Sequence, residues 1–219
     1  MTPQDNYWET KIIEWEDSMR GGAKVSRLER LAARFREPLK VRAARCMELL
    51  VPRVAGKRVV ELGCGSGFFA MELAERTDVE HVTAIDISSR AIERAAQVAA
   101  ERGLTERVTF LHADGNELEL PEADITYGLG FLDYLAPEEL HRLFRQIKSE
   151  HVLFTFSENK PSFHRALHIV YLKIQNCTKH FYYTRSEILA ALGERAGDAR
   201  FISGSDMLFG CIVHDFDRR

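Results

Sequence analysis

One stretch of the chain admits few folds: Val59-Val60-Glu61-Leu62 runs straight into Gly63-Cys64-Gly65-Ser66-Gly67, and Phe68-Phe69 come next. The near-continuous apolar run makes Arg58–Leu62 a strand covered on both faces, since a half-exposed strand would alternate. Three alternate glycines let the backbone turn tightly and let a ligand approach it closely, because none carries a Cβ. A helix from Phe68 to Arg76 then points its free N–H groups into the same crevice.

The alternation repeats. Strands are expected at His81–Asp86, Arg107–His112, Ala123–Tyr127 and His151–Phe156. Helices are expected at Ser89–Arg102, capped by Ser88 or Ser89, and at Pro137–Lys148. Parallel strands need long crossovers, so these helices cover both faces of an open sheet. The last third differs. Lys160–Thr178 reads as a helix-containing excursion. Thr184-Arg185-Ser186-Glu187 has capping-box spacing and opens a helix to about Leu192. Strands at about Arg200–Ser205 and Leu208–Phe216 are separated by a short turn and therefore pair antiparallel. The expected fold is α/β: a doubly wound, mostly parallel sheet of about seven strands with the final strand reversed. Ahead of it lie two expected helices, Tyr7 to about Arg36 with a break at Gly21-Gly22, and Pro38–Leu50 with proline at its start. The chain thus divides into an N-terminal helical cap, 1–52, and a main domain, 53–219, with 159–183 as a substrate-side insertion.

Function classes narrow by charge and cysteine. Thirty basic residues face thirty-three acidic ones, for a net charge of −3, and no segment is strongly basic. A nucleic-acid partner is therefore not expected. Cys46, Cys64, Cys177 and Cys211 form no C-x-x-C pair. His164 and His168 share a helix face, but Arg165 stands where a zinc helix would place glutamate, so no metal is expected. No signal-peptide pattern and no apolar run of roughly 20 residues is present, so the expectation is a cytoplasmic protein without a membrane partner.

The strand tips carry the ligand chemistry. A dinucleotide fingerprint would read G-x-G-x-x-G, but Phe68 stands where its third glycine belongs. Glu61, two residues before the first glycine, is poor company for a pyrophosphate and suits a ligand with a positive amino group. Asp86 ends the second expected strand, where an acid can accept both ribose hydroxyls. Asp114 ends the third, in His112-Ala113-Asp114-Gly115, and suits an exocyclic amine. Together these tips resemble the class I S-adenosylmethionine-dependent methyltransferases, from about Lys57 to Ser157 and more loosely through the C-terminal hairpin.

The resemblance implies a Rossmann-like sheet of order 3-2-1-4-5-7-6 with strand 7 antiparallel. It implies S-adenosyl-L-methionine as cofactor and S-adenosyl-L-homocysteine as product. Glu61, Gly63, Cys64, Gly65 and Gly67 would hold the methionine portion, Asp86 the ribose, Ile87 the adenine face and Asp114 the adenine amine beside Gly115. Gly128 and Leu129, with Gly130-Phe131, would face the sulfonium and the acceptor. Tyr7 and Trp15, on a helix whose Trp8, Ile12 and Trp15 share a face, would close over the cofactor as a lid, or dock on the core.

The acceptor side is less constrained. Tyr134 and Asp133 lie just after the fourth strand, and His180-Phe181-Tyr182-Tyr183 precedes the capped helix. His180 is the first candidate for a general base and Tyr134 the second, although both segments read equally as packing. Phe131, His164, His168 and Tyr182 are candidate substrate contacts. The fourth-strand exit lacks the Asn/Asp-Pro-Pro-Tyr/Phe run of adenine- or glutamine-modifying members. That favours a small-molecule acceptor, with oxygen ahead of nitrogen or carbon, over a protein acceptor or a non-catalytic cofactor-binding module. A monomer or homodimer is expected.

Overall fold

Seven strands hydrogen-bond into one sheet: β1 (Arg58–Leu62), β2 (His81–Asp86), β3 (Val108–His112), β4 (Ile125–Gly128), β5 (His151–Ser157), β6 (Arg200–Ile202) and β7 (Gly210–His214). Their order is β3-β2-β1-β4-β5-β7-β6, as the resemblance implies. The first five pair in parallel, while β7 runs antiparallel to both β5 and β6. The computed structural model describes Glu9 and residues 27–174, 177 and 179–218, with backbone alone for 27–37. Tyr7, Trp8, Ile12, Trp15 and Gly21-Gly22 lie outside the described residues.

Among the described residues, six helices flank the sheet: α1 (Arg27–Leu50), α2 (Phe68–Arg76), α3 (Ser89–Glu101), α4 (Pro137–Gln146), α5 (Phe163–Ile174) and α6 (Arg185–Leu192). Successive side chains of a strand point to opposite faces, and the core divides accordingly. Val59, Tyr127, Leu153 and Ile212 pack with α1, α2 and α3. Val60, Phe154, Phe156, Cys211 and Val213 pack with α4 and α6. Burial on both faces explains the near-continuous apolar runs of β1 and β5.

Two caps form as their residue types dictate. Ser88 Oγ accepts from Ala91 N–H at the start of α3. Thr184 Oγ1 accepts from Glu187 N–H while Glu187 returns a carboxylate to Thr184 N–H, closing the capping box of α6.

Two expectations need correction. Pro38 does not start a helix; α1 runs through it from Arg27 to Leu50. The proline removes one helical hydrogen bond, but Pro38 is itself buried, and Cys46, Met47 and Leu50 farther along α1 are core residues. Tertiary packing holds the helix together across the break. The closing strands are also shorter than expected. A 3-10 turn at Ser205–Met207, followed by Leu208 at φ 53°, takes up the connection, so β6 ends at Ile202 and β7 begins at Gly210.

No helix among the described residues is long and apolar enough to cross a membrane. From β1 the chain winds outward through β2 and β3, then returns to the other side of β1 with β4. That reversal opens a crevice at the carboxyl ends of β1 and β4, where open α/β sheets bind ligands.

Candidate active site

The glycine turn sits at the mouth of this crevice. Gly63, Gly65 and Gly67 all have left-handed backbones, with φ of 71°, 55° and 70°. Gly67 is the tightest position: a Cβ there would lie 2.1 Å from Phe110 Cε1. The turn is tied to the tip of β2, where Ile85 O accepts from Gly63 N–H and Cys64 N–H at 2.8 and 3.1 Å.

Asp86 completes the tie. Its Oδ2 accepts from Gly65 N–H at 2.8 Å and its Oδ1 from Ser88 N–H at 2.9 Å. One carboxylate therefore orders both the turn after β1 and the entry to α3.

Glu61 lies one layer below, only 2% exposed, with Tyr127 Oη–H donating to Oε2 at 2.9 Å. The pair faces across β1 and β4 in register. Burial, and then the charge of Asp86, pushes the Glu61 carboxyl up to about 8 against the pull of the Tyr127 hydrogen bond. Among the described residues, no cation is one of the groups acting on it. A buried carboxyl in this condition is ready for a positively charged ligand.

At the tip of β3, Asp114 Oδ1 accepts from Asn116 N–H at 2.8 Å. Asn116 Oδ1 is buried and, among the described residues, has no hydrogen-bond partner. An orphaned acceptor beside Asp114 and Gly115 suits a donor such as an amine. Ile87 is half-buried at the rim, and its carbonyl meets His112 Nε2 at 3.0 Å.

Gly128 closes β4, and a Cβ there would meet Phe154 Cε1 at 2.9 Å and Leu62 O at 3.0 Å. Leu129 is partly buried beyond it. The Phe131 ring lies against both Gly63 and Gly115, so the exit of β4 touches the tips of β1 and β3.

Asp133 ties the chain beyond β4 to the end of β5. Its Oδ1 accepts from Ser157 N–H at 2.6 Å and its Oδ2 from Ser157 Oγ–H at 2.9 Å, while its carbonyl accepts from Phe181 N–H at 2.7 Å. Tyr183 N–H adds a bond to Ser157 O at 2.9 Å, and Tyr183 Oη–H bonds Leu135 O. The 180–183 segment is thereby sewn along the exits of β4 and β5.

His180 is consequently brought beside Tyr134, His168 and Tyr182, with ring centroids 5.5, 5.1 and 4.8 Å away. His168 Nδ1 and Tyr182 Oη are 2.7 Å apart, and His168 stacks on Phe209 at 4.7 Å. Burial, and then the nearby Arg42 charge, pulls the His180 imidazole down to about 4. Burial, then His180 and Arg42, takes His168 to about 3. Both rings are neutral at pH 7. His164 is not part of this cluster; it is exposed on α5 beside Phe163. No group of three or more His, Cys, Asp or Glu among the described residues is placed to hold a metal ion.

Two residues without any distinguishing mark in the sequence join the site. Arg42, on α1, is 4% exposed and lies within 5.9 Å of the Phe209 ring centroid. Glu9 reaches the start of α3, where Oε1 accepts from Ser89 N–H at 2.8 Å and Oε2 from Arg90 N–H and Ser88 Oγ–H, each at 3.3 Å. Burial pushes the Glu9 carboxyl up, but the hydrogen bonds from Ser89, Arg90 and Ser88 together outweigh it and hold the group below the usual range.

Known proteins share this frame. Residues 59–150 match the profile of a family described as "Methyltransferase domain". The 27-O-demethylrifamycin SV methyltransferase of Amycolatopsis mediterranei is 37% identical over 94 residues, which cover 42% of this chain and 34% of that protein. The malonyl-[acyl-carrier protein] O-methyltransferase of Bacillus cereus is 27% identical over 154 residues, covering 66% of this chain and 56% of that one. The chain thus spans between about a third and just over half of these relatives. Magnesium protoporphyrin IX methyltransferase from Synechocystis PCC 6803, crystallised with S-adenosylhomocysteine, superposes with a TM-score of 0.69 at 16% identity, over 96% of this chain and 95% of that one. The matched segment, the sheet order and the turn of three left-handed glycines are thus similar to those of the class I S-adenosylmethionine-dependent methyltransferases.

Proposed function

We propose that the protein transfers the methyl group of S-adenosylmethionine to an oxygen of a small-molecule acceptor. The observation that carries the reading is Glu61, a buried carboxyl with no cation beside it among the described residues, set beneath a glycine turn that Asp86 holds open. A ligand with a cationic amino-acid end, ribose hydroxyls and an adenine amine matches Glu61, Asp86 and the Asp114–Asn116 tip in that order. When bound, the cofactor supplies a methyl group already activated by the sulfonium. The chain's own residues then have to align the acceptor and exclude water.

Phe131 and the aromatic 180–183 segment form the dry wall on the acceptor side. His180 is a weak base here, because burial opposes the charged imidazolium that proton abstraction would create. Tyr182 is raised above the usual phenol range by burial first and by the Asp133 charge second. This favours an acceptor oxygen that arrives ionised. Such an oxygen would accept the methyl group on its own lone pair, so the residues on the acceptor side would have no proton to take up.

Calorimetry with S-adenosylhomocysteine in buffers of different ionisation enthalpy tests the reading. Close to one proton should be released per ligand bound at pH 7, as the ammonium ionises Glu61. Glu61→Gln should abolish that release and weaken binding. Because the folded value lies above the ordinary 4.5, Glu61 contributes stability below that pH and loses it as pH rises towards about 8. The stability difference between the chain and Glu61→Gln should therefore shift over that window. No binding of adenosyl-sulfur compounds would overturn the reading.

A further inference from the structure

Arg42 is not accounted for by the fold. Among the described residues its Nε and Nη1 are buried and make no hydrogen bond. No carboxylate of those residues lies within ion-pair distance of it, and its ring contact with Phe209 is at the long end for a cation over an aromatic face. A guanidinium taken out of water with unpaired donors is a costly arrangement unless something completes it.

The simplest use would be to balance the buried Asp133, whose carboxylate Arg42 does stabilise electrostatically. But both Asp133 oxygens are already committed to Ser157, at 2.6 and 2.9 Å. A structural partner of Asp133 would close to hydrogen-bond distance, and Arg42 does not. Its position is instead secured by β7: a Cβ on Gly210 would lie 2.6 Å from Arg42 Cδ and 2.8 Å from its Nε. Glycine at the first residue of β7 lets the guanidinium lie across the strand beside the end of β5, where Gly210 pairs with Ser157. That is the acceptor side of the crevice.

A second unpaired donor or acceptor belongs to the same ring cluster, since Phe209 beneath Arg42 stacks on His168, which in turn meets His180. His180 Nδ1 is buried and without a partner among the described residues, on a side chain 6% exposed. Aromatic rings of Tyr134, His168, Tyr182 and Phe209 wall the cluster. A planar fork of N–H donors in an aromatic box, with one fixed carboxylate nearby, matches a planar monoanion better than a phosphate, whose second charge Asp133 would repel.

We propose that the methyl acceptor is a carboxylic acid, recognised as its anion by Arg42 with His180 Nδ1 completing the contact. This rests on the methyltransferase reading and specifies its substrate class. It also meets the requirement for an oxygen that needs no base.

The test uses the full chain saturated with S-adenosylhomocysteine, with benzoate and octanoate as probes, their amides as neutral counterparts and inorganic phosphate as the alternative anion. Thermal shift and calorimetry should show saturable binding of at least one carboxylate at millimolar concentration, with its amide and phosphate inert. Arg42→Gln should weaken that binding by about tenfold or more while S-adenosylhomocysteine affinity changes by less than about twofold. Arg42→Lys, which keeps the charge that balances Asp133, should still lose about threefold or more, because an ammonium cannot present two parallel N–H groups. The lysine variant carries the test if the glutamine variant fails to fold by circular dichroism. Carboxylate binding unchanged in the variants, amide or phosphate binding equal to carboxylate, or no carboxylate binding to a chain that does bind S-adenosylhomocysteine would each overturn the proposal. Failure to bind S-adenosylhomocysteine would instead overturn the methyltransferase reading on which it rests.

Discussion

Asp86→Ala should weaken S-adenosylhomocysteine binding by at least about tenfold, and by more than a lost ligand contact alone would explain. A hydrogen bond to a charged group contributes about 1.5–3 kcal/mol, which is roughly one to two powers of ten in affinity. Asp86 is also internal scaffolding: it accepts from Gly65 N–H in the turn and from Ser88 N–H at the entry to α3. Removing it releases both segments, so the ligand must order them as it binds. Asp86→Asn separates the two effects. Its carbonyl oxygen still accepts one backbone bond, but the charge is gone. Calorimetry should place it between the wild type and the alanine variant. Equal affinity for all three proteins would remove Asp86 from the binding site.

The largest loss of stability is expected at Asp215→Ala. Asp215 is fully buried, and its Oδ2 accepts from Arg195 Nη1 at 3.1 Å while its Oδ1 accepts from Val152 N–H at 2.7 Å. Arg195 gives its other terminal nitrogen to the carbonyl of Ser149 at 2.5 Å, which fastens the α4–β5 connection to the end of β7. Removing one member of a buried pair leaves the other charge uncompensated, at a cost of about 3–5 kcal/mol. For a domain of this size that corresponds to a fall in melting temperature of roughly 6–20 °C. Urea unfolding should report the loss as a lower midpoint at unchanged slope. A loss below about 1 kcal/mol would mean that carbonyl groups alone satisfy Arg195. Cofactor affinity should be unaffected, since Asp215 sits at the opposite end of β5 from Ser157.

Legible in the sequence is whatever local chemistry decides. Glycines that must turn, a serine before α3 and a Thr-x-x-Glu box before α6 each act within a few residues, and each sits where its spacing places it. The apolar runs of β1 and β5 carry the sheet because burial on two faces leaves an unmistakable pattern. Arg42 is hidden for the opposite reason. It lies in Lys40-Val41-Arg42-Ala43-Ala44-Arg45, where one basic residue looks like another until β7 covers it. Pro38 misleads because a proline normally marks a helix start, and only packing farther along α1 overrules it. Glu9 meets α3 some eighty residues away, and no periodicity reports such a contact. Tyr127 is within reach: once β1 and β4 are paired, it must stand opposite Glu61 on the same face.

Glu9 has a consequence for which nucleosides the crevice will admit. Its carboxylate already fills the electropositive end of α3, a step away from Asp86. A nucleoside bearing phosphate on its sugar would bring negative charge against two carboxylates and find the backbone donors there already taken. On the proposed cofactor reading, a side chain near the front of the chain would thus disfavour phosphorylated ribose, at a place where other α/β proteins welcome anions.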